Sequence, residues 1–282
     1  MVIGLMWPVL VSPFSVAPRW QSAKSRRSAV PIATAIAPAA AKTELLAAID
    51  TFRAIKTRDG GVAVDFGVRG GELDKESRTP NNLVAARKYY EVSEAAGKAA
   101  DDVVAAVHNL EASTSPIEPT RFFGTVEGAA CGLHGGWAQL FTTAADATFD
   151  AKSKRGDAEV CNVVDARKGE ITNVIQFKAP NRTVDQLRVR LTAKPTSANK
   201  VELVFRTVRV RFAKRFLGIF KQILLPVPAL AISRLFFLFR PNKRPKQPFF
   251  EVLYLDDDLR VQRTGDGNLF VQRRIDPAIA GF

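Results

Sequence analysis

The chain has 282 residues, of which 46% are hydrophobic, enough to bury one large core or two small ones. Its formal charge of +13 is far from neutral and calls for a partner or an explanation. Two cysteines, Cys131 and Cys161, are too few for a disulfide scaffold or a structural zinc site; they read as core residues, with a redox-switched pair as the lesser alternative.

Residues 1–43 contain no Asp or Glu but carry Arg19, Lys24, Arg26, Arg27 and Lys42 among Ser, Ala and Pro. That composition reads as an organelle transit segment, assigned to residues 1–42 and kept out of the fold. A helix is predicted from Thr43, which can cap it, with Leu45, Leu46, Ile49 and Phe52 on one face and Gly60-Gly61 at its end. Residues 60–82 read as a Gly-rich loop. Helical patterning returns from Asn82 to Leu110, with a break at Gly97 and a stripe of Val103, Val104, Val107 and Leu110. Prolines 116 and 119 end the helical region, assigned to residues 43–119.

Strands dominate from residue 120. Trp137–Thr143 follows Gly135-Gly136, and Ile171–Phe177 is a second strand. Leu187, Val189 and Leu191 alternate with Arg188, Arg190 and Thr192, the pattern of a half-buried strand. Val201, Leu203 and Phe205 alternate in one phase, and Val208, Val210 and Phe212 in the other. A β-bulge near Arg206-Thr207 would reconcile the two phases. Residues 249–255 and 259–263 flank an acidic turn, and a Gly-Asp-Gly-Asn turn leads into a further strand. The fold class is α+β, mainly β: helices preceding an antiparallel sheet closed into a barrel over residues 120–275.

Residues 203–250 contain eleven Lys and Arg and no acid. Basic residues and Pro226 and Pro228 interrupt the apolar runs, so none approaches the roughly 20 residues of a membrane span. The insertion at 212–248 is predicted as two basic amphipathic helices, 212–224 and 229–239. Lys214, Arg215 and Lys221 would meet anionic headgroups, while Phe216, Phe220, Phe236 and Phe237 enter the lipid interface. The alternative is a lid or part of the core.

No Gly-x-Ser-x-Gly, His-Glu-x-x-His or Walker sequence is present, and the two histidines, His108 and His134, read as structural, so no enzyme activity and no cofactor are expected. Asp256-Asp257-Asp258 lacks the alternation of a calcium loop and reads as a solvated turn pairing with Arg260 or Arg263, not a metal site. Arg188, Arg190, Arg206, Arg209 and Arg211 raise single-stranded nucleic acid as a partner. Their long aliphatic company fits lipid better, so no nucleic-acid partner is expected.

Several segments resemble the plastid lipid-associated proteins, or fibrillins. These are Val103–Glu111 before Pro116, Gly135–Thr143 with its Gly-x-Trp, Ile171–Phe177 with Gln176, and above all the Tyr-Leu-Asp, Asp-Leu-Arg and Gly-Asn-Leu-Phe-Val elements of 249–271. The chain departs from that pattern at 213–248 and in the loop at 60–80. The resemblance implies a lipocalin-like barrel in a plastid protein that binds or transports lipophiles at plastoglobules or thylakoids. The leader would then be a plastid leader, either ordinary or, given apolar Met1–Val11, bipartite.

A barrel's ligand site is its mouth and interior. Trp137, Phe141, Phe177, Phe205 and Tyr254 are the candidate lining residues, with plain core packing as the alternative for each. The expected ligand is a prenylquinone, carotenoid or fatty acid. The other reading is a non-catalytic scaffold of plastid lipid particles or of a prenylquinone-synthesis enzyme.

Overall fold

A computed structural model describes residues 37–59, 93–115, 117–144, 157–178, 183–227 and 247–280. Among these residues two helices, α1 (Pro38–Arg58) and α2 (Glu94–Ser113), precede nine strands. These are β1 (Gly135–Thr142), β2 (Ala158–Asp165), β3 (Glu170–Phe177), β4 (Val184–Pro195), β5 (Lys200–Phe216), β6 (Phe220–Pro226), β7 (Phe249–Leu255), β8 (Leu259–Thr264) and β9 (Leu269–Ile275).

All pairings are antiparallel, in the order β4-β3-β2-β1-β9-β8-β7-β5-β6, and a further β4–β5 pairing joins the ends of an eight-stranded ring. β5 makes that closure possible because it is 17 residues long. Its first residues, 200–202, pair with β7, while 207–211 pair with β6, and β4 runs along its other edge. The predicted bulge is present: Arg190 faces Thr207 and Leu191 faces Phe205, which leaves Arg206 as the extra residue.

The two helices lie against the outside of one wall. Leu45, Ile49 and Phe52 of α1 and Val103, Val107 and Leu110 of α2 pack with Phe141, Leu253, Tyr254, Leu259, Val261, Leu269 and Val271. Polar contacts fix the seating. Arg263 Nη2 donates to Glu111 at 2.6 Å, and Arg53 Nη2 donates to the Leu140 carbonyl at 2.6 Å. Ser93 caps α2 by accepting from the Ala96 amide at 3.0 Å and donates to Asp59 at the end of α1.

Three expectations are corrected. Helix α1 starts at Pro38, not Thr43; proline suits the first helical position, and Thr43 instead donates to the Ala39 carbonyl. Lys42 therefore belongs to the folded chain. Gly97 does not break α2; it is buried inside the helix. Residues 212–224 are not helical. Residues 212–216 finish β5, a turn follows at 217–219, and 220–226 form β6. The β-branched and aromatic alternation of β5 carries through the basic residues, and β6 pairs back on it. The second predicted helix, 229–239, and the loop at 60–82 lie outside the described residues.

A second cluster closes one end of the ring. Phe123, Cys131 and Leu133, from the segment before β1, pack with Trp137, Val164, Ala166, Ile171, Ala193, Val201, Phe250 and Val252. Gly128 lets that segment approach: a Cβ there would stand 2.5 Å from the Arg167 amide nitrogen.

Candidate functional site in the barrel interior

Strand periodicity assigns the inward face. Trp137 faces Asn162, Asn162 faces Asn173, and Asn173 faces Val189, all on the side opposite the helices. At the floor the inward residues Val164, Ile171, Leu191, Ala193 and Val201 are buried. Toward the other end Val160, Ile175, Phe177, Leu187, Val189, Phe205, Val208 and Val210 are partly exposed. These apolar side chains face inward yet stay partly accessible, unlike those of the floor.

The five sequence-chosen lining residues divide. Phe177 faces inward at the end away from the floor, and Phe205 faces inward beside Leu191, just above the floor. Trp137 is the floor: it is 0% exposed, and its Nε1 donates to the Leu133 carbonyl at 2.9 Å. Phe141 and Tyr254 lie outside, under the helices, Phe141 edge-on to Phe52 with centroids 5.8 Å apart. Two bulges put them there. Register shifts between Gln139 and Phe141 and between Val252 and Tyr254 each insert one residue. Each bulge therefore reverses the faces of the strand residues beyond it. The Arg53 contact to Leu140 holds a helix against the first of these bulges.

Above Trp137 lies a polar layer that sequence reading did not find. Arg260 is 1% exposed. Its Nε donates to Gln272 Oε1 at 2.8 Å and its Nη2 to Asn162 Oδ1 at 2.8 Å. Gln272 also donates to Asn162, and Asn162 Nδ2 donates to Asn173 Oδ1 at 2.8 Å. The Arg260 guanidinium stands 4.9 Å from the Trp137 ring centroid, and that of Arg274 stands 4.2 Å from it. Among the described residues no carboxylate pairs with Arg260. Burial first, and then the like charge of Arg274, push its pKa down to about 9. On the same face Gln262 is buried with Oε1 unpaired among the described residues. The signal for this layer was the alternation Leu259-Arg260-Val261-Gln262. It reads as an apolar core face and a wet polar face, but helices cover the apolar side, so the polar side is the interior.

The acidic turn is structural. Asp256 Oδ1 accepts from the Asp258 and Leu259 amides, and Oδ2 accepts from Tyr254 and from Lys42 of α1, each at 2.6 Å. Its partner is thus Lys42, not Arg260 or Arg263. Burial opposes ionisation, but these four donors outweigh it and hold the carboxyl at about 2. The same burial and the Asp256 charge push the Tyr254 phenol above its usual range. The folded-state pKa of Asp256 lies below the unfolded value of about 3.9. Its contribution is therefore present above pH 4 and lost as pH falls from about 4 to 2. Asp256→Asn is expected to cost about 1–2 kcal/mol at pH 7, discounted because the pair is partly exposed, and to flatten stability between pH 4 and 2. Urea melts at pH 7 and pH 3 check both points; an equal loss at both would rule out the charge.

No group of three or more His, Cys, Asp or Glu positioned for a metal occurs among the described residues. His134 Nδ1 accepts from the Ala166 amide at 3.2 Å, and His108 lies on α2, 3.6 Å from Glu111. Cys131 and Cys161 are free thiols, and burial pushes both up, which disfavours thiolate exchange.

The predicted contact residues Lys214, Arg215, Phe216, Phe220 and Lys221 lie on the β5–β6 hairpin, and Phe236 and Phe237 lie outside the described residues. The turn exposes apolar side chains, Leu217 at 74% and Ile219 at 69%. Leu217 and Gly218 both take positive φ, 52° and 72°. Among the described residues no helix is long and apolar enough to cross a membrane.

A ring of antiparallel strands with helices on one outer wall and a partly accessible apolar inner face defines an antiparallel β-barrel. The chain belongs to the PAP_fibrillin family, whose model matches residues 90–273. This is the family of plastid lipid-associated proteins. Among solved structures the chain is similar to a lipocalin-like protein from Bacteroides uniformis ATCC 8492, at 12% identity and a TM-score of 0.26, over 51% of this chain and 99% of that one. Among curated proteins none matches.

Proposed function

We propose that this chain is a non-enzymatic plastid protein that holds or hands over a lipophilic small molecule in its barrel, at the surface of a plastoglobule or thylakoid. The observation that carries this reading is the row of inward apolar residues, Val160, Ile175, Phe177, Leu187, Val189 and Phe205, left partly exposed above a packed floor. Each methylene buried there contributes about 0.8 kcal/mol, so a long chain binds with few polar contacts. Family membership supports association with lipid and with plastids, and the acid-free, Ser- and Arg-bearing composition of the N-terminal residues supports import.

The β5–β6 hairpin supplies the surface contact. A leucine at positive φ is strained, and at Leu217 that strain presents an apolar side chain to solvent. Lys214, Arg215 and Lys221 flank it, as an anionic surface requires. The scaffold reading shares this hairpin but has no use for an open interior.

Filling the interior separates the two. Val189 and Val208 face each other across β4 and β5. Replacing both with phenylalanine is expected to lower affinity for a hydrophobic fluorescent probe at least about ten-fold. The melting temperature should stay within a few degrees. Unchanged probe binding would place any bound lipid elsewhere.

A further inference from the structure

Arg260 is a fully buried cation whose hydrogen bonds run to neutral amides. Leaving a charge in the interior without an opposite charge is costly, and proteins retain such a group where a partner arrives. Gln262, two residues along the same strand face, keeps a buried amide oxygen unpaired among the described residues. Rotation of that amide presents either its acceptor or its two N–H donors to a ligand. Asn162 and Asn173, in the same layer, face inward and are only partly buried. From Asn162 to Ala158 the inward face climbs four residues, about 13 Å, through apolar side chains.

We infer that the ligand is an apolar chain ending in a carboxylate, its acid head at the floor on Arg260 and Gln262 and its tail running past Val160, Ile175 and Phe205 to the end away from the floor. This rests on the carrier reading and narrows it from lipophiles in general to acidic ones. A guanidinium meets a carboxylate with opposite charge, which a neutral quinone or a hydrocarbon does not supply; Nε and Nη2 are taken by Gln272 and Asn162, so Nη1 carries the donors left for the acid. The lowered pKa of Arg260 agrees: bringing in a carboxylate restores the guanidinium's ordinary basicity.

The test titrates the full chain with hexadecanoic acid and with methyl hexadecanoate, which share a tail and differ in charge. The acid is expected to bind at least about ten-fold tighter, the scale of a charged hydrogen-bonded pair. In Arg260→Gln the ratio should fall to about one, with ester affinity kept within about three-fold. Arg260→Lys, which keeps the charge, should retain part of the preference, and the unaltered chain alone decides the matter should the glutamine variant not fold. Equal binding of acid and ester would overturn the acidic-head assignment while leaving the carrier reading intact. So would a preference that survives Arg260→Gln. Binding of neither would overturn both.

Discussion

Replacing Trp137 with alanine is expected to lower the unfolding free energy by about 3–5 kcal/mol, the range for deleting a fully buried large aromatic. Among the described residues Trp137 is the largest fully buried side chain. It packs with the closing segment through Phe123, Cys131 and Leu133 and with the strands through Val164, Ile171 and Val252. Its Nε1 satisfies the Leu133 carbonyl, and its ring neighbours the guanidinium groups of Arg260 and Arg274. Removing it opens a cavity beneath a buried cation and leaves that cation without its π face. Trp137→Phe keeps most of the volume and should cost less than the alanine change by about 1 kcal/mol or more, on the order of the lost hydrogen bond and packing combined. Chemical denaturation checks both. A loss below about 1 kcal/mol for the alanine variant would mean that the floor is not the packed end of the barrel.

This floor also shows how far the sequence could be read. Most of the strands, the bulge at Arg206 and the overall class were legible because apolar alternation fixes which face is buried, whereas β2 was not read and β6 was taken for helix. Inward and outward were harder. Phe141 and Tyr254 share the parity of Trp137 and Val252 along their strands, and only bulges at residues 140 and 253 turn them under the helices. Nothing local in the sequence marks those bulges, which appear only as register shifts in the paired strands. Arg260 and Gln272 looked like the wet side of amphipathic strands. That inference assumes one buried face per strand, and it fails in a barrel whose outer wall is roofed by helices. The basic stretch at 212–224 misled in another way. Its charges resemble those of an amphipathic helix, but β5 simply runs on through them and turns back as β6.

The turn of that hairpin carries the second large effect. The double change Leu217→Asp and Ile219→Asp is expected to lower partition onto vesicles containing anionic lipid at least about 30-fold. Each fully buried leucine or isoleucine is worth about 1.5–3 kcal/mol, and part of that is lost at each position. Reversing Lys214, Arg215 and Lys221 should weaken partition by about 1 kcal/mol per charge near the surface, and this loss should shrink as salt rises. The aspartate pair should be far less sensitive to salt, because it removes apolar contact. The hairpin projects from the ring, and Leu217, Ile219 and Phe220 are exposed, so neither set should lower the melting temperature by more than a few degrees. Sedimentation with vesicles at two ionic strengths separates the terms, and unchanged partition in both variants would remove the hairpin as the contact.

A lipophile held in the interior is the central claim, and lipid extraction tests it directly. The chain lacking residues 1–36, purified from plastid-bearing cells and washed free of detergent, should release a long-chain lipophile near one per molecule by mass spectrometry. The Val189→Phe, Val208→Phe variant should release little. A preparation that carries none, and takes up none when offered hexadecanoic acid or a prenylquinone, would contradict the central claim.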